Sequence, residues 1–199
     1  MTTLIATGAE SEIHKINDTT LKKIRLAKTY RIPEIDLKLR KFRNRREFKI
    51  LQKLHTENIL VPEPYKIIED KRIDEISFEF EFLTGQVLKN CLTKELLFKA
   101  FNQIIQMHKF EVTHSDLTTL NMICQNNEIY LIDFGLGEFS VKPEDRAVDL
   151  NLFFNCIKNE HPEFYKYKDE LKQIYFKFNQ RVLHNLEKLE HRGRNKSKN

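Results

Sequence analysis

The sequence predicts an α+β chain of two unlike lobes, strand-rich at the start and helical towards the end. Three observations lead there. Apolar residues alternate over the first 32 positions, and from Glu34 and again past Lys94 they recur at helical spacing. The pattern also breaks once, at Thr84-Gly85. That break divides the chain into a first lobe over residues 1–83, a reduced second lobe over 84–190 and a basic tail over 191–199.

Taken in order, Glu12–Ile16 and Thr20–Ile24 read as paired strands around a turn at Asn17-Asp18. The period becomes helical from Glu34 to Leu54, with Pro33 suited to the helix start. Leu39, Phe42, Ile50, Leu51 and Leu54 form its expected apolar face. A second hairpin joins Pro64–Ile68 to Ile76–Leu83 through the charged turn Glu69-Asp-Lys-Arg72. Helices are expected over Lys94–Phe110 and Asp169–Leu189. The latter carries a stripe of Leu171, Ile174, Phe178, Val182, Leu186 and Leu189. Between them lies a short hairpin, Asn121–Cys124 and Ile129–Asp133, turning at Asn126-Asn127. The tail from His191 holds Arg192, Arg194, Lys196 and Lys198 with no acid, and is expected to be disordered when free.

Composition narrows the class. The chain has 199 residues, 40% hydrophobic and 32% charged, an ordinary globular balance. No apolar run approaches 18 residues and no signal-peptide pattern opens the chain, so a membrane is not an expected partner. Cys91, Cys124 and Cys156 are widely spaced, without CxxC or Cys/His metal spacing, and read as reduced thiols. A cytoplasmic address follows, or a nuclear one in a eukaryote. The net charge of +5 is uneven, since Lys22 to Lys49 holds twelve Lys/Arg against Glu34, Asp36 and Glu47. Such a block is either a solvated helix face or a phosphate-binding surface.

The chemistry centres on His114-Ser-Asp116-Leu-Thr-Thr-Leu-Asn121, followed by Asp133-Phe134-Gly135. Reflecting Asn121 through the hairpin turn lands on residue 132, which brings the Asn121 amide and the Asp133 carboxylate near each other. Two hard oxygen ligands suit Mg²⁺, which takes its other ligands from water and phosphate. Asp116, on the loop feeding the hairpin, is placed to orient or deprotonate an attacking hydroxyl. HxD and DFG are each weak signals alone, but together, at this spacing, they indicate an ATP site.

The first lobe supplies the complementary parts. Glu47 projects from an apolar helix face, which is costly without a cation. Strand alternation puts Lys23 inward as its partner and holder of the α/β-phosphates, with Lys22 on the opposite face as the rival. Gly8-Ala9-Glu10-Ser11 occupies the place of a phosphate-covering loop, although one glycine is short of GxGxxG. Backbone groups of Glu81 and Leu83 are placed to meet an adenine edge. A strand-rich lobe with one main helix, joined to this site, makes a minimal bilobal protein-kinase-like fold the expected architecture, with ATP and Mg²⁺ as its ligands. Only sixteen positions separate Asp133 from Asp149, with no APE sequence, and Thr118 stands where protein kinases usually carry lysine. Both features point to a compact ATPase, or to a kinase with few targets.

These residues resemble the small atypical kinase subunit of the KEOPS complex, a family related to RIO-type kinases. The resemblance runs nearly the whole chain: Gly8-Ala-Glu-Ser, Lys23-Ile-Arg25, Lys28-Thr-Tyr-Arg-Ile-Pro33, Arg46-Glu47, His114-Ser-Asp-Leu-Thr-Thr, Ile132-Asp-Phe-Gly-Leu-Gly137, Glu144-Asp-Arg-Ala-Val-Asp149 and Arg192-Gly-Arg194. It implies ATP hydrolysis, serine/threonine phosphorylation and support of threonylcarbamoyladenosine formation in tRNA. The implied partners are a metal-dependent threonylcarbamoyl transferase and other KEOPS subunits. Lys23, Glu47, Asp116, Asn121 and Asp133 all match the family pattern. Ser115 departs from its usual glycine, which puts the loop's backbone geometry in question. The basic helix and tail gain tRNA as a candidate ligand. Competing readings are a nucleotide-gated scaffold with incidental turnover and a small-molecule phosphotransferase. The latter usually follows HxDxxxxN with Asp-Trp rather than DFG.

Overall fold

The computed structural model describes residues 2–70, 72 and 74–196, excepting the side chains of 192–196. Lys71 of the charged turn, the basic side chains Arg192, Arg194 and Lys196, and all of Lys198 lie outside the described residues. Two compact units make up the chain, Met1–Thr84 and Gly85–Asn199.

In the first unit, β1 (Thr3–Thr7), β2 (Ser11–Lys15), β3 (Thr20–Arg25), β4 (Pro64–Asp70) and β5 (Glu75–Glu81) form one antiparallel sheet. Its order is β1-β2-β3-β5-β4. The β2–β3 turn is stabilised locally, because Asn17 Oδ1 accepts from the Thr19 N–H at 2.9 Å. α1 (Pro33–Thr56) packs on β4 and β5, with Pro33 opening it and Glu34 and Asp36 in its first turn.

The buried face of α1 differs from the expected one. Phe42 is 59% exposed, and the buried positions run Asp36, Arg40, Asn44, Glu47, Ile50, Leu51 and Leu54. The first half of this stripe is therefore polar. It is tolerated because its charged groups and the Asn44 amide nitrogen are paired: Arg40 Nε donates to Asp36 Oδ2 at 2.7 Å, and Asn44 Nδ2 donates to the Ser77 carbonyl at 2.9 Å. The second half packs with Ile76 and Phe78 in the core of this unit.

The second unit begins with β6 (Gln86–Val87) and α2 (Lys94–Lys109), whose Thr93 hydroxyl accepts from the Leu96 N–H at 3.2 Å as an N-cap. Next come β7 (Val112–Thr113), β8 (Met122–Gln125), β9 (Glu128–Leu131), β10 (Glu138–Phe139) and α3 (Pro143–Glu160). α4 (Lys168–Phe176) and α5 (Gln180–Lys196) close the chain. The expected helix over Asp169–Leu189 is thus two helices. α4 ends at Phe176, and Asn179 starts α5, its Oδ1 accepting from the N–H groups of Arg181 (3.1 Å) and Val182 (3.3 Å). Leu171, Val182 and Leu186 are buried as expected, but Ile174 is 39% exposed, because the buried face of α4 is formed by Leu171 and Tyr175. Residues 191–196, expected to be disordered, continue α5. Phe101 of α2, Phe153 and Phe154 of α3 and Tyr175 of α4 pack ring to ring at 5.8–6.1 Å in the core. Among the described residues, no helix is long and apolar enough to cross a membrane.

Candidate active site

In the first unit, alternation along β3 leaves Lys23 and Arg25 buried at 4% and 5% exposure, with Lys22 on the other face. Lys23 Nζ donates to Glu47 Oε1 at 2.7 Å, and Arg25 pairs with the other oxygen of the same carboxylate. Lys22 turns instead to Glu75 at 3.1 Å. The Lys22/Lys23 ambiguity is therefore resolved in favour of Lys23 as the partner of Glu47. Arg25 joins this cluster without having been expected there, although its place two residues beyond Lys23 puts it on the same strand face.

The loop Gly8–Ser11 links β1 to β2, closed by the Gly8 N–H donating to the Ser11 carbonyl at 2.8 Å. Glu10 is not a free ligand group there. It accepts from Arg31 at 2.9 Å and pairs with Arg43 at 3.1 Å, and the Arg31 bond holds its carboxyl below the usual range. Lys28 Nζ reaches the Ala9 carbonyl, so the loop is tethered from two sides. On β5, the Glu81 N–H is already committed to the Glu63 carbonyl at 2.9 Å, and Leu83 follows at 5% exposure.

The same pairing redraws the basic block. Lys22, Lys23, Arg25, Arg31, Arg40, Lys41, Arg43 and Arg45 each have a carboxylate partner within this unit. Much of the positive excess is therefore neutralised where it stands, and Lys38 and Lys49 remain as exposed cations on α1.

In the second unit, the loop His114–Asn121 hangs from one buried carboxylate. Asp149 of α3, fully buried, accepts from the N–H groups of His114 and Ser115, both at 2.7 Å. His108 Nε2 donates to the same carboxylate at 3.1 Å, which leaves its Nδ1 to accept from Tyr175 Oη at 2.8 Å. Burial lowers the His108 pKa while Asp149 raises it, and burial raises that of Tyr175. The His114 ring, also buried, donates from Nε2 to the Ile132 carbonyl at 2.9 Å and packs on Phe134 at 4.7 Å. Loop and Asp-Phe-Gly segment are thereby fastened together. In the sequence Asp149 serves as a spacing mark and as the end of a resembled stretch, without a role of its own, and His108 has no assigned role. The signal that could have found His108 is its register with Leu97, Phe101 and Ile104, a lone histidine on the apolar stripe of α2.

Asp116 is exposed, and Asn121 Nδ2 donates to its carbonyl (2.8 Å) and to its Oδ2 (2.9 Å). That orientation commits the Asn121 amide nitrogen and leaves Oδ1 to face a cation. β8 and β9 pair in the expected register around Asn126-Asn127, both at positive φ as a two-residue hairpin turn requires. The Ile132 N–H donates to the Asn121 carbonyl at 3.0 Å, so Asn121 lies opposite the residue before Asp133. Asp133 is exposed at φ 60°, and its Oδ1 accepts from the Gly135 N–H at 3.2 Å. Among the described residues no group of three or more His, Cys, Asp or Glu could hold a metal. One carboxylate and one amide oxygen form a hard, incomplete donor set, which fits Mg²⁺ completed by phosphate oxygens and water.

Ser115 lies at φ 64°, in the left-handed region where the resembled family carries glycine. Ser115→Gly should raise stability by about 0.5–1 kcal/mol, the relieved strain less the added unfolded-state entropy. Urea unfolding reads it as a higher midpoint at unchanged slope; a lower midpoint would show that the loop carries no strain.

The chain is similar to several known proteins in sequence and in fold. The RIO-domain family model matches residues 9–145. An Enterocytozoon bieneusi protein, EKC/KEOPS complex subunit BUD32, is 37% identical, covering 80% of this chain and 84% of that one. The KEOPS complex subunit Bud32 of Pyrococcus abyssi is 35% identical, covering 82% and 80%. A probable bifunctional tRNA threonylcarbamoyladenosine biosynthesis protein of Methanobrevibacter smithii is 32% identical over 96% of this chain. The chain spans about a third of the length of that relative and of its Methanocorpusculum labreanum counterpart. In fold, the chain is similar to a Chaetomium thermophilum Rio2 kinase ADP/Mg²⁺-phosphoaspartate complex, with TM-score 0.63 over 96% of this chain and 70% of that one, at 14% identity.

Proposed function

Because the chain belongs to the RIO-domain family, we propose that it is an ATP-dependent phosphotransferase and ATPase of the atypical serine/threonine kinase type. Its role in this reading is to support threonylcarbamoyladenosine formation in tRNA, within a KEOPS-type assembly that includes the threonylcarbamoyl transferase. One observation carries the reading: the Asp116–Asn121 hydrogen bonds on a loop slung from Asp149, beside the hairpin that ends at Asp133.

Lys23, fixed by Glu47, presents an ammonium to the α/β-phosphates, with the Gly8–Ser11 loop covering them through its backbone and Glu10 acting as anchor. Glu81 and Leu83 border the adenine. Asp116 orients the attacking hydroxyl or water and takes its proton, and its exposure leaves the carboxylate open to that group. Asn121 and Asp133 would hold Mg²⁺, which when bound neutralises charge on the transferring phosphate. Nine residues separate Asp133 from the start of α3, too few for a peptide-docking segment, which favours hydrolysis or few protein targets over broad phosphorylation. For tRNA, Lys38 and Lys49 with the exposed Phe42 offer α1 a cationic, stacking-capable face.

The test is ATP hydrolysis by the pure chain, alone and with the transferase and tRNA, alongside a tRNA-modification assay. Low basal turnover, stimulation by the partners and loss of modification with Asp116→Ala are the expected results. Equal modification by wild type and Asp116→Ala would favour the nucleotide-gated scaffold.

A further inference from the structure

Asn121 sits at the end of a 3-10 turn, Thr119–Asn121, and Thr119 at its start is fully buried. Side chains from outside the metal site pin the turn there. The Thr119 N–H donates to Cys156 Sγ at 3.5 Å, and Thr119 Oγ1 is hydrogen-bonded to His161 Nε2 at 3.2 Å, with Cys156 Sγ also 3.5 Å from that hydroxyl. Cys156 lies in the last turns of α3, and His161 caps that helix, its own N–H donating to the Ile157 carbonyl at 2.9 Å. His161 is 6% exposed. Leu120, between Thr119 and Asn121, points outward at 56% exposure.

Two fixings therefore act on one short turn. On the loop side, Asn121 Nδ2 is bonded to Asp116; on the helix side, Thr119 is bonded to the C-terminal end of α3. A 3-10 turn this short has little internal stiffness, having one internal backbone bond here, from the Asn121 N–H to the Thr118 carbonyl at 3.1 Å. Mg²⁺ demands near-ideal octahedral placement of its ligands, so the angle at which Asn121 Oδ1 is presented matters more than its mere presence.

We propose that Thr119, held by His161 and Cys156, is a positioning residue that sets the Asn121 oxygen for the metal, coupling metal affinity to the C-terminal end of α3. This rests on the nucleotide-metal reading of the preceding section. Thr119 touches neither metal nor nucleotide; it acts through the turn. The conservative change Thr119→Ser keeps the hydroxyl, whereas Thr119→Val keeps the shape and removes it.

Calorimetric titration of the full chain with ADP, in EDTA and then in Mg²⁺, separates this role from simple destabilisation. Thr119→Val should bind ADP like wild type in EDTA but lose about tenfold of the affinity gained with Mg²⁺, the usual scale for loss of an outer support of a metal ligand. Thr119→Ser should restore that gain. His161→Leu removes the same bond from the other side and keeps Thr119 intact. It should show the same selective loss, and it carries the test if Thr119→Val does not fold. A Mg²⁺ gain in folded Thr119→Val and His161→Leu equal to that of wild type overturns this inference alone. A wild type that binds no ADP in either buffer overturns the nucleotide reading and this inference with it.

Discussion

Glu47→Ala should destabilise the first unit by about 3–5 kcal/mol, the cost of leaving buried charge without its counter-charge. Lys23 and Arg25, 4% and 5% exposed, share that one carboxylate, so its removal strands two cations at once. Both stand on β3, an interior strand between β2 and β5. Lys23→Met is the informative contrast, since it leaves Glu47 still paired with Arg25 and should cost clearly less. Urea unfolding followed by a probe in this unit measures both. A Glu47→Ala chain within about 1 kcal/mol of wild type, the range of a solvent-exposed ion pair, would mean that the cluster is solvated in solution. The fixed ammonium assigned to Lys23 would go with it.

Much of this cluster is legible in the amino-acid sequence, and the reasons are physical. Alternation along a strand has period two, so Lys23 and Lys22 must face opposite ways, and an acid in a helix stripe needs a cation. The hairpin around Asn126-Asn127 is equally readable, because a two-residue turn fixes register and places Asn121 opposite residue 132. Groups without a periodic signature are the ones that do not show. Phe42 reads as core because it is apolar, but the inward positions of α1 are Asp36, Arg40 and Asn44, and the last two find partners more than thirty residues along the chain, at Asp74 and Ser77. Asp149 and His108 look like ordinary residues of a helix face until tertiary packing brings Asp149 to the backbone of His114 and Ser115, and His108 to Asp149. α3 goes unpredicted although Ala147, Leu150, Phe153, Phe154 and Ile157 carry helical spacing, because its first turn overlaps the charged interval that follows Asp133. The break at Asn179 is hidden by an apolar stripe that stays in phase across it.

The second large effect concerns the metal. Asp133 carries the only formal charge in the assigned Mg²⁺ donor pair, and a bound divalent ion is worth several kcal/mol of charge stabilisation on a transferring phosphate. At about 1.4 kcal/mol per tenfold in rate, removing that charge should reduce turnover a hundredfold or more. Asp133→Asn is the substitution of choice, because asparagine tolerates the left-handed φ of 60° that this position adopts and alanine does not. The side chain is exposed, so the fold should survive the change. Asp116→Ala, also at an exposed position, should cost about 10²–10⁴-fold as the loss of a general base, while leaving ADP binding in place. The decisive measurement is ATP hydrolysis by wild type, Asp133→Asn and Asp116→Ala side by side across a Mg²⁺ titration, with thermal melting as the control for folding. Magnesium-dependent turnover in the wild type, lost in both variants at unchanged melting temperature, is the result predicted. Turnover in Asp133→Asn equal to wild type, with the same Mg²⁺ dependence, would contradict the assignment of Asp133 to the metal and with it the site described here.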